Sequence, residues 1–367
     1  MKTHHFFALA LIAAVHVGQV HSQGIDHIES DSSEDIRQQA LKHYRIGYEL
    51  LKTRNYRNAA IEFEHATAID SSYAEAFYLL GQTYAKLEEY DGAIEALERT
   101  RQLGMFPDRV NAKLAVLHQN SALTLYGQRK YREAIAAFEK SLELNPQNGR
   151  ALYNLGLCHS RLNDAASARR AYERAIEADP GYANPHKSLG DLHRAGRNHA
   201  GAAAAYRQAI AVDPDYAAAY VGLAQVHIAT GDLDKALPML QKAVKVDPQF
   251  ADSYLLLGNV LIRLGRSGEA VQYLRKAISF TPQNPEAHYR LGEAYLAGGD
   301  HARAIAAANA ALELRRDFHP VQLLLGDAHA KAGQVDQAVR WYTSAMKDSR
   351  FRDYCHRQIE ELTGTEE

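Results

Sequence analysis

Asp213-Pro214-Asp215-Tyr216-Ala217-Ala218-Ala219-Tyr220 is the stretch that decides the fold, because its proline recurs along the chain at a constant distance. Five prolines follow one another 34 residues apart, namely Pro146, Pro180, Pro214, Pro248 and Pro282. A period of this size indicates a repeat architecture, in which each unit packs against its neighbours. Proline lacks an N–H group and disfavours helix in the residue before it, so each proline predicts the end of a helix.

Small residues extend the period well beyond the prolines. When each unit is numbered from 1 to 34, Gly or Ala stands at position 8 and Ala at position 20 of nine successive units. These units start at residues 40, 74, 115, 149, 183, 217, 251, 285 and 319. Small side chains let two helices approach closely, and larger ones fill the remaining space, as Tyr172 and Tyr206 do at position 24. The pattern predicts nine helical pairs with polar, Gly-containing turns such as Thr230-Gly231-Asp232.

The columns resemble the tetratricopeptide repeat family, whose pattern has Leu-Gly at positions 7 and 8, Ala at 20 and 27, an aromatic residue at 24 and Pro at 32. The resemblance covers residues 40–352 and implies an all-α, right-handed superhelix, an α-solenoid. The departures are local, since position 4 lacks Trp and the first two and last two units lack the proline. The family also implies that positions 2, 5, 6, 9, 12 and 13 of each first helix line a concave groove that binds partner proteins.

The groove positions carry the candidate binding residues. Many are Tyr and Arg, which combine a large contact area with a polar tip, as binding hot spots do. The resemblance places in the groove Tyr44, Tyr48, Tyr78, Gln82, Asn120, Tyr126, Arg150, Tyr153, Asn154, Arg161, Lys187, Arg194, Asn259, Tyr289 and Arg290. Any one of them can instead simply solvate the inner wall. Asp191 and Gly222 replace two asparagines of the family's carboxylate clamp, so a chaperone's acidic C-terminus is not the expected ligand.

The period breaks once, between the second and third units. These units start 41 residues apart, so seven additional residues lie between Gly104 and Lys113. Seven residues make about two helical turns, which would keep the buried face of a longer helix in register. We expect the first helix of the third unit to begin near Asp108, and a plain loop is the competing interpretation.

The first 22 residues have the pattern of a secretory signal. Lys2 precedes an apolar stretch from Phe6 to Val17, and Val20-His21-Ser22 resembles a cleavage site with small residues. An uncleaved anchor is the alternative interpretation. No later stretch is long and apolar enough to span a bilayer. We therefore expect an exported protein, periplasmic or secreted.

The segments that flank the repeats are predicted to have simple roles. In residues 23–39 we expect a short acidic tether over residues 23–34 and the start of the first helix at Ser32-Ser33-Glu34-Asp35. Residues 353–367 are expected to form a cap helix and tail, because Cys355, Ile359 and Leu362 share one apolar stripe. An exposed end of a repeat array needs such a cap.

Composition argues against several classes of function. The formal net charge is −2, without the clustered basic face that nucleic acid requires. The two cysteines, Cys158 and Cys355, lie more than five repeats apart, too far for a disulfide within one chain. They are expected to be small buried thiols. Motifs for nucleophilic catalysis, phosphate binding or dinucleotide binding do not occur, so we expect neither an enzyme nor a cofactor.

Four histidines recur at position 11, namely His159, His193, His227 and His329. Equivalent positions of successive units are about 10 Å apart, the spacing of packed helices. Metal bonds to histidine are only about 2.0–2.1 Å long, so we expect half-buried histidines between helices and no metal.

Three functional hypotheses follow from these patterns. The first is a non-catalytic scaffold that holds a peptide or helix of a partner protein in its groove. The alternative is a structural subunit of an envelope, secretion or polysaccharide-export assembly that docks through its convex face within a multiprotein complex. A third is a metal or small-ligand binder that uses the position-11 histidines. Charge reversal at Arg150 and Arg161 would separate the first from the second, since only groove binding depends on them.

Overall fold

The computed structural model describes residues 25–364, with side-chain surroundings from residue 33 onward. The predicted secretory signal, residues 1–22, lies outside this range, so export stays a prediction. Within residues 25–364 the chain forms nineteen α-helices and one short 3-10 helix, without a β-strand. None of these helices has both the length and the apolar character needed to cross a bilayer.

The helices follow the repeat period. Their bounds are α1 Ile25–Lys52, α2 Tyr56–Ile69, α3 Ala74–Lys86, α4 Tyr90–Gln102, α5 Pro107–Gly127, α6 Tyr131–Leu144, α7 Gly149–Arg161, α8 Ala165–Ala178, α9 Ala183–Ala195, α10 His199–Val212, α11 Ala217–Ala229, α12 Leu233–Val246, α13 Ala251–Arg263, α14 Ser267–Phe280, α15 Pro285–Ala297, α16 His301–Leu314, α17 His319–Lys331, α18 Val335–Ala345 and α19 Arg352–Thr363, with the 3-10 helix Ser349–Phe351 before α19. Seven first helices, from α3 to α17 except α5, begin at the residue that the period assigns as position 1. The all-α solenoid of helical pairs is confirmed.

The chain divides into two compact modules. Among the described residues, the N-terminal module comprises residues 25–128 together with Glu139–Asn145, and the C-terminal module comprises Arg129–Phe138 and residues 146–364. In each module the two helices of a pair pack against each other, and each second helix packs against the next first helix.

Small residues allow this close packing. Alanine at position 20 is fully buried in all nine units. A large residue at position 24 fills the space beside it in eight of them, and the eighth unit has Ala308 there. A Cβ atom placed on Gly156 would lie 2.5 Å from Cε1 of Tyr172, and one on Gly326 would lie 2.5 Å from Cε1 of Tyr342. Since real Cβ contacts are longer, Gly156 and Gly326 leave the space that the tyrosine at position 24 of the same unit occupies.

The turn within each pair has a left-handed backbone at position 15. This residue has positive φ in all nine units, but only the last four carry Gly, as Gly231, Gly265, Gly299 and Gly333. The first five carry Arg54, Glu88, Arg129, Asn163 and Arg197, with φ between 58° and 62°. The expected Gly-containing turn is confirmed for the last four units and for the fifth, whose turn contains Gly196 beside Arg197, whereas the turns at Arg54, Glu88 and Asn163 contain no glycine. A side chain in this conformation typically costs about 1–2 kcal/mol.

Exchange of residues at two such turns is expected to change stability in opposite directions. Arg197→Gly should raise the free energy of unfolding by up to about 1 kcal/mol, because the strain that it relieves exceeds the entropy that glycine adds to the unfolded chain. Gly231→Ala should lower it by about 1 kcal/mol, because φ is 85° there. Urea unfolding followed by circular dichroism measures both. If both variants changed the free energy of unfolding by the same small amount, the left-handed turn conformation would carry no strain.

The seven additional residues lengthen a helix, as expected. Helix α5 begins at Pro107, and proline suits the first position of a helix because its missing N–H has no partner there. The preceding Phe106 has a left-handed backbone with φ of 48° and places its ring 5.8 Å from that of Tyr78. The insertion therefore lengthens α5 by about two turns. It also provides an aromatic contact with Tyr78 of α3, the first helix of the previous pair.

The predicted tether is wrong for most of its length, whereas the cap is confirmed. Helix α1 begins at Ile25, since residues 25–39 contain neither Gly nor Pro and carry acids near the positive end of the helix dipole. At the other end Cys355 of α19 is fully buried, and Ile359 and Leu362 pack beside it. Burial raises the pKa of the Cys158 and Cys355 thiols to about 11, as expected of inert buried cysteines.

Candidate functional site

The position-5 tyrosines do not stand free in the groove. Tyr44, Tyr153 and Tyr289 each pack against the aromatic residue at position 34 of their own unit, which precedes the next first helix. The ring centres are 5.1 Å apart for Tyr44 and Tyr73, and 5.2 Å apart for Tyr153 and Tyr182. Tyr289 and Phe318 repeat the contact at 5.3 Å. These three tyrosines are half-buried and hold the loop between pairs, so each offers only part of its surface to a partner.

Tyr78 is the clearest departure from the predicted site. Its side chain is only 7% exposed, because Phe106 from the insertion covers its ring. Its hydroxyl is buried and has no hydrogen-bond partner. Tyr78 therefore lies beneath the wall of the groove and does not present its ring to a partner. Tyr48 is the opposite case, since it is 42% exposed with Lys52 Nζ 4.6 Å from its ring centre.

Most predicted cations of the C-terminal module are already neutralised within the chain. Lys187 Nζ donates to Asp191 at 2.7 Å. Arg290 donates to Glu286 and to Glu293, each at 2.8 Å. A partner would have to compete with these carboxylates, so Lys187 and Arg290 are weak anchors for an acidic ligand.

The remaining predicted residues of this module differ in exposure. Arg194 is exposed and donates to the Tyr206 hydroxyl at 3.3 Å, 3.7 Å from Asp191. Arg150 and Arg161 are exposed, whereas Asn154 and Asn259 are half-buried. The exposed arginines are thus the part of this wall that a partner can reach most easily.

Three cations in the N-terminal module form what we call the basic wall, namely Lys86 of α3 with Arg109 and Lys113 of α5. The Arg109 guanidinium lies 5.5 Å and Lys113 Nζ 5.8 Å from the ring centre of Tyr78. Lys113 Nζ donates to Gln82 at 3.5 Å, which leaves its charge uncompensated. Burial, and then the charges of Arg109 and Lys86, lower the pKa of Lys113.

The basic wall has no counter-charge in the part of the chain that the structure describes. None of its three cations forms an ion pair there, whereas Lys52 and Arg101 of the same module pair with Glu49 and Glu98. A partly buried ammonium group that is repelled by two neighbouring cations is stabilised when an anion approaches. The wall is therefore poised to accept a carboxylate or a similar anionic group.

An apolar surface continues the basic wall along the same helix. Arg109, Lys113, Val116, Asn120 and Leu123 are spaced by three or four residues and so lie on one face of α5, which we call the inner stripe. Val116 is 55% exposed and Leu123 is 40% exposed, both at positions that the repeat pattern assigns to the groove. Asn120 and Tyr126, the predicted residues of this helix, are half-buried. The stripe thus offers charge at one end and apolar contact at the other.

The position-11 histidines are half-buried, as expected, and each contacts the residue five positions later. The Nδ1 distances are 3.4 Å for His159 to Asp164, 3.3 Å for His193 to Asn198, 4.0 Å for His227 to Asp232 and 2.6 Å for His329 to Gln334. Each partner immediately precedes the second helix of its pair. Burial lowers the pKa of His227, which favours the neutral ring. The row of histidines therefore braces the turns.

Comparison with known families identifies the repeat. Models described as tetratricopeptide repeat match residues 44–107, 120–183, 193–260, 285–318 and 319–342, and one described as TPR repeat matches residues 258–299. Together they reach from the first to the last helical pair.

Individual relatives match over short segments. Rat mitochondrial import receptor subunit TOM70 is 30% identical over 91 residues, which is 25% of this chain and 15% of the receptor subunit. BBSome complex member BBS4 of Xenopus tropicalis is 42% identical over 52 residues, which is 14% of this chain and 10% of that protein. The chain thus spans well under a fifth of either relative.

Among solved structures, PilF of Pseudomonas aeruginosa is similar in fold. It is 15% identical, with a TM-score of 0.53, and the match covers 58% of this chain and 96% of PilF.

Proposed function

Because the chain belongs to the tetratricopeptide repeat family, whose helical arrays are protein-interaction scaffolds, we propose that it is a non-catalytic scaffold that binds an extended peptide or a helix of a partner protein along its first helices. The observation that carries this proposal is the basic wall, whose three cations lack an acidic partner in the described chain, beside exposed Val116 and Leu123. A partner segment that combines acidic and apolar side chains would complement this surface in charge and polarity.

The energetics favour capture by the basic wall. A hydrogen bond to a charged group contributes about 1.5–3 kcal/mol, more than a neutral one. Lys113 contacts Gln82, and it lies on a helix that is anchored in the core by buried Leu114 and Leu117. Such a preformed surface loses little conformational entropy when it binds, so more of the contact energy appears as affinity.

The relatives support a role in an assembly. Their names describe an import receptor subunit and a member of the BBSome complex, so both are components of larger protein systems. We further propose that binding takes place after export, on the basis of the signal pattern in residues 1–22. Cell fractionation tests this part, and a chain found only with cytoplasmic markers would contradict it.

Photo-crosslinking from single positions is expected to locate the partner. A photoreactive amino acid at Leu123, on the inner stripe, should crosslink to a partner in the native cell extract. The same amino acid at Glu95, which is exposed on the second helix α4, should not. Mass spectrometry identifies the crosslinked protein and the peptide within it.

Crosslinking from Leu123 and from Glu95 also distinguishes groove binding from docking through the outer helices. Crosslinking of one protein from Glu95 and not from Leu123 would favour a structural subunit that docks through its outer helices. Crosslinking from neither position would contradict binding on this part of the array. Because both positions are exposed, neither replacement should disturb the core.

A further inference from the structure

Two histidines and a glutamate meet between the first two helices. His43 lies on α1, and Glu62 and His65 lie one turn apart on α2. One side-chain ligand atom from each of the three lies within 4.8 Å of the other two, and no other group of three possible ligands meets this test from residue 33 to residue 364. We infer that His43, Glu62 and His65 form a binding site for a divalent transition-metal ion, with Zn²⁺ as the best match.

The distances suit coordination after a small adjustment. Nδ1 of His43 and Oε2 of Glu62 are 2.8 Å apart, and the two imidazole rings meet edge to face with centres 5.2 Å apart. In a tetrahedral zinc site with bonds of about 2.0–2.1 Å, neighbouring ligand atoms are about 3.3 Å apart. The His43–Glu62 pair would open slightly and His65 would turn inward, and His65 is exposed and free to do so.

The chemistry of the three ligands selects the class of ion. Imidazole nitrogen and carboxylate oxygen are ligands that zinc accepts readily, whereas Mg²⁺ and Ca²⁺ prefer oxygen alone. The side chains of His43 and Glu62 are 31% and 23% exposed, so the site is open to solvent on one side. Water would complete the coordination sphere beside three protein ligands.

A metal ion at this position would join α1 to α2. Helix α1 carries a pocket of about 460 Å³ lined by Ile46 and Leu50, and no helix of the described chain covers that side. Within the described chain the first pair therefore packs against one neighbouring pair, whereas an inner repeat packs against two. A ligand that binds only the folded pair stabilises it, and a tighter ligand does so more strongly, so a bound metal ion would add to the stability of this pair.

The test uses the full chain without a histidine tag, after dialysis against a chelator. Isothermal titration with Zn²⁺ should show one tight equivalent that His65→Ala weakens by more than about 100-fold, since even outer-shell partners of a metal typically contribute 10–100-fold. His65 is exposed, so this variant should keep the fold. Glu62→Gln should also weaken binding. Hydrogen exchange should slow in α1 and α2 when zinc is added to the wild type.

The matched control is His356→Ala in α19. His356 Nδ1 lies 3.7 Å from Glu360, a pair without a third ligand, so this variant should bind zinc as the wild type does. Histidines outside the described residues are the same in every variant and cancel in the comparison. Cobalt titration adds a spectroscopic check, because the visible absorption of bound Co²⁺ should disappear in His65→Ala. Equal zinc affinity in wild type and His65→Ala would overturn the proposal, as would the absence of a tight equivalent in the wild type.

Discussion

Substitution of Tyr206 by alanine is expected to lower the free energy of unfolding of the surrounding pairs by about 3–5 kcal/mol, the typical cost of removing a large aromatic side chain from a core. Tyr206 is fully buried. Its ring packs against Gly190 of α9 and Gly222 of α11. A Cβ atom placed on Gly190 would lie 2.6 Å from Cε1 of Tyr206, and one placed on Gly222 would lie 2.4 Å from it. Alanine would leave a cavity between α9, α10 and α11 that these backbones cannot close without moving.

The hydroxyl of Tyr206 provides a matched control. It donates to Asp191 at 2.6 Å, and Asp191 keeps its ion pair with Lys187 when the hydroxyl is absent. Tyr206→Phe removes this hydrogen bond and the longer one that the hydroxyl accepts from Arg194. It should therefore cost less than the alanine substitution, about 1.5–3 kcal/mol, mainly for the bond to the charged Asp191. Long repeat arrays can unfold in steps, so hydrogen exchange of α9–α11 should accompany urea unfolding. If both variants lose the same stability, the ring is not what holds these helices together.

Reversal of two charges on the basic wall is expected to weaken the binding of an acidic partner by at least about 100-fold. Arg109→Glu with Lys113→Glu removes two charge-assisted contacts of about 1.5–3 kcal/mol each, and 1.4 kcal/mol corresponds to a tenfold change. The probe is a fluorescent peptide that alternates glutamate and leucine, measured by fluorescence anisotropy. The wild type should also bind more weakly as salt increases, because part of the surface is exposed.

The control reverses two charges elsewhere in the same module. Arg57 and Arg101 are exposed on the second helices α2 and α4, so Arg57→Glu with Arg101→Glu changes the net charge equally. This variant should retain binding within a few-fold if the inner surface is the binding site. An equal loss in both double variants would indicate that net charge alone attracts the peptide.

The period predicts the helices because each small residue of the pattern marks a place where two helices approach closely. Helix α11 begins at Ala217, the first residue of its predicted unit, and the alanine at position 20 is buried in every unit. The predicted groove is less reliable, since the repeat pattern specifies which face a residue lies on but not what covers it. Tyr78 stands at a groove position, yet Phe106 from the insertion lies over it.

The basic wall was missed for a related reason. Arg109 and Lys113 precede the third unit, which starts at residue 115, and so carry no position number in the repeat, although their spacing from Val116 places them on the same face of α5. The neutralised cations could have been recognised, because Lys187 and Asp191 are four residues apart on one helix. The trio of His43, Glu62 and His65 could not, since it depends on which faces of two helices meet.

The left-handed turns differ between the two ends of the array. Residues other than glycine occupy position 15 from Arg54 to Arg197, whereas glycine occupies it from Gly231 onward. We therefore expect the turns between Arg54 and Arg197, a range that includes the basic wall, to open more readily than the later ones. A partner bound there would hold closed the pairs that open first and so protect them from proteases. The binding equilibrium with the partner would then determine two quantities together. These are the fraction of chains that carry the partner and the lifetime of the N-terminal pairs in the cell.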